Sequence, residues 1–232
     1  FIVSYAGEAA VSGVSLVNSF NTIFIYLFTA LASGGAVVIS QYIGSQDKKN
    51  SILSSSQLLM FSCVFSCVLS VMVLLFQRPI LSGLFGRVET DVMDACMTYL
   101  RISAYSYPFI AVYNAGASLY RSMAKTKTTM NISLVSNLIN IIGNYIGVFV
   151  LHAGVAGVAV PSLLARAFSA IVITILCFNR QLITHYAKED VFTWNGAMLK
   201  RVLNIAVPNG IENGLFQLGK VLVSTFVATY GT

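Results

Sequence analysis

The stretch NLINIIGNYIGVFVLHAGVAGVAVPSLLAR, Asn137–Arg166, joins two apolar runs across the short gap 152–155. Extended outward, the runs cover residues 130–151 and 156–179. Each is long enough to span a membrane as a helix, which takes roughly 20 mostly apolar residues. Each is also too long for a membrane strand of about 9–11 residues. The first run carries Asn131, Asn137, Asn140 and Asn144. The last three recur at spacings that place them on one helix face. Lipid cannot satisfy their amides, so this face must look into a bundle or a water-filled cavity. Two readings stay open: interhelical glue, aided by Gly143 and Gly147 in a GxxxG pattern, or a polar cavity wall that coordinates a cation or substrate.

The rest of the chain repeats the pattern. Six stretches of spanning length occur, at about 10–43, 51–77, 92–120, 130–151, 156–179 and 203–230. Of 232 residues, 56% are hydrophobic and 9% charged, against about 25% charged in soluble domains. The shortfall is spread along the chain, so the sequence predicts an all-α polytopic membrane protein embedded in a lipid bilayer. Cys63, Cys67, Cys96 and Cys177 lie in apolar runs without a zinc pattern and read as small apolar filler.

The loop charges alternate. Lys48 and Lys49, then Arg121, Lys125 and Lys127, then Arg180, Lys188, Lys200 and Arg201 fall in three gaps on one side. The intervening gaps hold only Arg78 and Arg87. The positive-inside rule therefore places the loops 44–50, 121–129 and 180–202 in the cytoplasm, with the protein in the cell (inner) membrane. The first helix then starts outside, which predicts a further helix before Phe1 in the complete protein. FIVSYAG at the start and FVATYGT at the end match in Phe1 and Phe226, Ser4 and Thr229, and Tyr5 and Tyr230. That match suggests one full period of a duplicated six-helix unit. The expected organisation is an N-terminal lobe at 1–180, a cytoplasmic interlobe linker at 181–202 with Trp194 at headgroup level, and the first helix of a C-terminal lobe at 203–232. Pairing by duplication within one chain fits a protein that is monomeric at full length.

Several spans carry charge. Arg101 is expected to snorkel to the outer interface. Arg166 lies deeper, after Pro161, and needs a partner or water. The last span holds Pro208, Glu212 and Lys220. Glu212 and Lys220 are about 12 Å apart along an ideal helix, too far for a direct ion pair. Pro208 frees a carbonyl one turn back, so a bend with an acid just beyond it reads as a cation or proton site; the alternative is that Glu212 snorkels or bonds a neighbouring helix. Pro161 and Pro208 are the candidate hinges. The first span carries Asn18, Ser19 and Asn21 near its outer third.

HExxH, GxSxG and Walker A patterns are absent, as is a basic-aromatic nucleic-acid module, so the sequence predicts neither an enzyme nor a nucleic-acid partner. An ATP-driven pump would need a soluble motor, for which this chain has no room; if it transports, its energy is expected to come from an ion gradient.

Three stretches together carry a family resemblance. They are GGAVVISQYIGSQDKKN, YLRISAYSYPFIAVYNAGASLYRSMAKTKTTM and NLINIIGNYIGVFVLHAGVAGVAVPSLLAR. They resemble the second, fourth and fifth-to-sixth helices of the multidrug and toxic compound extrusion (MATE) family. The resemblance spans the whole chain, as helices two to seven of twelve. It implies two six-helix lobes around a cleft of alternating access. It also implies export of a small-molecule substrate, organic cations or other amphipathic compounds, in exchange for Na⁺ or H⁺ and without a cofactor. Prokaryotic members often place an Asn and an Asp, four apart, in helix five. The matching positions are Asn140 and Asn144, so the acid is an amide here: it can offer a carbonyl to Na⁺ but cannot carry a proton. Asn137, Asn140, Asn144, Asn18, Asn21 and Glu212 are the expected cleft-lining and ion-site residues, with Arg166 and Lys220 as buried charges. In the loop after helix four, Ala124, Lys125 and Thr129 replace the usual Gly, Asp or Asn, and Pro. Two alternatives remain: a lipid-linked oligosaccharide flippase of related fold, and a non-transporting membrane interaction protein whose polar faces are glue.

Overall fold

The structure, a computed structural model, describes residues 8–85 and 90–230. All regular structure among them is helical. The helices are α1 (Glu8–Gly44), α2 (Lys48–Leu75), α3 (Gln77–Phe85), α4 (Thr90–Ser122), α5 (Thr126–Tyr145), α6 (Ala156–Cys177), α7 (Lys188–Val191) and α8 (Gly196–Tyr230). A single π-helical turn, Ile146–Val150, continues α5. The protein is an all-α polytopic membrane protein. The stretches 11–44, 48–75, 126–150 and 156–177 are long and apolar enough to cross a membrane. The 33 residues of α4 have the length but carry more polar side chains. The opening heptad 1–7 and the loop residues Arg87 and Glu89 lie outside the described residues.

Lipid explains the inverted look of the surface. On α5, Leu134, Leu138, Ile141, Ile142 and Tyr145 are exposed, because an apolar side chain gains nothing by turning from hydrocarbon to protein. The small and polar side chains turn inward instead. Ser62, Ser66 and Ser70 form a buried stripe on α2, and Ser70 Oγ donates to the carbonyl of Ala104 at 2.7 Å. Helices α1, α4 and α6 run parallel: Gly13 lies against Cys96 and Asn21 bonds Tyr107, while Ser106 pairs with Arg166 and Gly116 with Cys177. The α1–α2 turn, the α4–α5 turn and the end of α6 therefore share one end of the bundle, the end that holds the nine loop cations.

Both turns at that end are built alike. Asp47 N–H donates to Tyr42 O and Gln46 N–H to Ile43 O. Lys125 N–H donates to Tyr120 O and Ala124 N–H to Arg121 O. Each is a Schellman closure, in which the residue past the helix end takes a left-handed conformation: φ is 59° at Gln46 and 58° at Ala124. The next residue then caps the following helix. Asp47 does so with its carboxylate, accepting from Asn50 N–H at 3.1 Å and from Asn50 Nδ2 at 2.6 Å. Lys125 has no side-chain acceptor to offer.

The connection after α6 is docked. Tyr186, Thr184 and Leu182 are buried. Gln57, buried on α2, donates through Nε2 to the carbonyls of Asp190 (2.6 Å) and Thr193, and accepts at Oε1 from Asn195 N–H at 3.0 Å. Ser55 Oγ donates to His185 O, and Ser56 Oγ accepts from Ala187 N–H. Trp194 and Phe192 remain exposed. Helix α8 starts at Gly196, seven residues before the expected 203, because the Asn195 side chain accepts from Met198 N–H at 3.0 Å and caps it. Its first half lies on α1, where a Cβ at Gly34 would fall 2.6 Å from that of Ala206.

Candidate functional site

The polar face of α5 meets α6. Asn144 Nδ2 donates to Asn140 Oδ1 at 3.0 Å, Asn140 Nδ2 donates to Ser162 Oγ at 2.9 Å, and Ser162 Oγ donates to Val158 O. Ser136 Oγ donates to Ala165 O one turn further along. The same face carries the glycines. A Cβ at Gly157 would fall 2.5 Å from the carbonyl oxygen of Gly147, and one at Gly143 would fall 2.6 Å from Pro161. The helix backbones thus touch at the end where α5 passes into the π turn. The amide relay points all its donations one way and leaves Asn144 Oδ1 buried without a donor. A buried acceptor of this kind at a π turn is a ready ligand for a hard cation, which takes oxygen donors.

A second polar group lies between α1, α4 and α6. Tyr99 OH donates to Asn18 Oδ1 at 3.0 Å and Tyr107 OH to Asn21 Oδ1 at 2.6 Å. Arg166 donates from Nη1 to Ser106 Oγ at 2.6 Å, and its charge acts on the phenols of Tyr99 and Tyr107. Asn21 is 3% exposed and its Nδ2 has no acceptor. Phe24 stacks on Tyr107, with ring centroids 4.9 Å apart, and closes one side.

The expected site residues therefore divide. Asn140 and Asn144 come together on α5, where it faces α6. Asn18 and Asn21 meet α4, with Arg166 nearby. Asn137 is exposed and joins neither group. Glu212 is exposed on α8, and no hydrogen bond or ion pair among the described residues ties it to either group. Pro208 is exposed inside α8, whose helical backbone continues through it. Pro161 is buried against Gly143. Lys220 belongs to α8, but its side chain lies outside the described residues. Sequence reasoning missed Tyr99, Ser106, Tyr107 and Ser162. On α4 the signal was present: Tyr99, Ser103, Ser106 and Tyr107 recur at three- and four-residue spacing in a span that should be apolar.

Comparison with known proteins agrees with this architecture. The chain is 26% identical to the transporter YisQ of Bacillus subtilis over 99% of its own length and 51% of that protein. It is 24% identical to the probable multidrug resistance protein NorM of Thermotoga maritima over 100% of its own length and 50% of that protein. The chain thus spans about half the length of the curated relatives it matches. The outward-facing structure of a multidrug resistance MATE family transporter of the MOP superfamily superposes with a TM-score of 0.88 at 19% identity, covering 99% of this chain and 51% of that one. The MatE family profile matches residues 1–146, which run through α1 to α4 and the whole of α5 with its amide relay. This chain belongs to the MatE family, a family of transporters.

Proposed function

We propose that the protein is a secondary active exporter of organic cations or other amphipathic compounds, driven by exchange for Na⁺ or H⁺. Residues 1–180 act as one lobe, 181–202 as the interlobe connection and 203–232 as the start of a second lobe. The observation that carries the reading is the α5 relay, which ends on the unpartnered carbonyl of Asn144. An amide carbonyl suits Na⁺ and cannot hold a proton, so Na⁺ is the ion this site fits. Relatives named as multidrug resistance proteins support the export half of the proposal. The basic end of the bundle faces the cytoplasm, in the inner membrane, by the positive-inside rule.

The test is uptake of ethidium into everted membrane vesicles holding the full polypeptide, under an imposed Na⁺ or pH gradient. Accumulation that collapses with the Na⁺ gradient is expected. Ethidium movement indifferent to both gradients would sink the proposal. Glu212→Gln separates the ions: if protons are the coupling ion and Glu212 carries them, the pH-driven component disappears.

A further inference from the structure

Arg166 is left over by this account. It sits about ten residues inside α6, roughly 15 Å from the helix start, level with Ser106 of α4. A guanidinium carries five N–H donors, and its one described bond goes to the neutral hydroxyl of Ser106. Among the described residues no carboxylate pairs with it. Asn21 adds a second unused donor, its buried Nδ2, held in place by Tyr107. The phenols of Tyr99 and Tyr107 can turn their protons from the asparagine carbonyls to another acceptor. Among the described residues, the group between α1, α4 and α6 thus has a buried spare donor and a whole positive charge but no anion. An intramembrane arginine without a counter-charge is costly.

We propose that this group is a binding site for a single carboxylate, held by the Arg166 fork with Asn21 Nδ2 and the two phenols as further donors. One guanidinium neutralises one negative charge, which favours a monoanion over a phosphate dianion. The planar fork matches a carboxylate through paired hydrogen bonds. Arg166 is half-buried, so part of its side chain is open to the surroundings. The proposal adds amphipathic compounds that carry a carboxylate to the substrate class of the exporter proposed above. It rests on that reading for its transport meaning but not for binding.

The test is equilibrium binding of radiolabelled benzoate at pH 7 to the purified full polypeptide in detergent, with benzamide as the uncharged isostere. Saturable benzoate binding is expected, with benzamide competing at least tenfold less well. Arg166→Gln should weaken benzoate at least tenfold, and Arg166→Lys should fall between. Where Arg166→Gln does not fold, labelling of the native protein by phenylglyoxal replaces it: benzoate, and not benzamide, should protect the Arg166 peptide. Absence of saturable benzoate binding, equal binding of the two compounds, or Arg166 labelling that benzoate does not slow would each overturn the proposal. The first of these is also the result if an acidic side chain of the polypeptide already fills the site. Benzoate binding without ion-driven efflux defeats the exporter and leaves this site standing. Efflux without benzoate binding does the reverse.

Discussion

Ala124 and Lys125 show how much one position can say once its backbone is known. At φ 58°, Ala124 occupies a conformation that costs an L-residue about 1–2 kcal/mol and glycine almost nothing. Lys125 then stands at a cap position that wants a side-chain oxygen. The glycine and the aspartate or asparagine usual in the family fit these two demands, so the departures noted in the sequence acquire a physical cost. Ala124→Gly is expected to raise stability by about 1 kcal/mol, and Lys125→Asp by about 1 kcal/mol through the restored cap. Thermal unfolding in detergent reads both, and a fall in either variant would refute this account of the turn. Asp47 fills the equivalent position in the first turn. Hydrogen bonds from the Asn50 side chain and backbone hold its carboxyl below the usual carboxylate value. The charged cap is fully in place above pH about 3.9 and is lost as pH falls through the lowered value. None of this was legible beforehand, because φ is not written in a sequence pattern.

At the level of elements, the GxxxG pattern on α5 was read correctly as a close-approach surface but without its partner. The partner is α6, and the contact is backbone to backbone at Gly147 and Gly157. Gly157→Ala is expected to cost about 1–3 kcal/mol as overpacking, whereas Gly154, with open space around it, bears no such contact. Unfolding midpoints of Gly157→Ala that match the parent protein would contradict that packing. The segment after α6 was read as an interfacial linker from its mixed charges and aromatics, and no composition signal announces that Gln57 grips its backbone at three points. Gln57→Leu removes the donor to Thr193 O and the acceptor of Asn195 N–H, while Asp190 O keeps the Thr193 hydroxyl; at roughly 0.5–1.5 kcal/mol for each hydrogen bond lost, hydrogen exchange across 181–195 should rise. His185 makes the same segment sensitive to pH. Burial, with Lys48 and Arg180 nearby, pushes its pKa below 6.5. The neutral form therefore favours the docked linker. That contribution is complete above pH about 6.5 and fades as pH falls through the lowered value. Lower amide protection at pH 5.5 than at 7.5, after correction for the base-catalysed intrinsic exchange rate and flattened by His185→Asn, is the expected result; protection independent of pH would contradict it.

Across the whole molecule, the spans were legible because lipid demands long unbroken apolar runs, and five of six lie within a few residues of their helices. The sixth, α8, starts early because Asn195 caps it inside a segment whose Lys200 and Arg201 look like loop. The short α3 went unforeseen, since nine residues around Arg78 and Pro79 are too few to stand out. Site residues were legible as misfits, polar groups in an apolar span, but their grouping was not. Asn140 and Asn18 look alike in sequence and serve different clusters, because which helices are neighbours is a tertiary fact. Among the described residues the two clusters differ in what they leave over: an acceptor without a donor at Asn144 Oδ1, and a donor without an acceptor at Asn21 Nδ2. The most direct test of the central claim, that the α5 relay is an ion site, is ²²Na⁺ binding to the purified full polypeptide by scintillation proximity. Saturable binding is predicted, reduced at least tenfold by Asn144→Leu and untouched by Asn137→Leu. Binding that survives Asn144→Leu, or none in the parent protein, would contradict the claim.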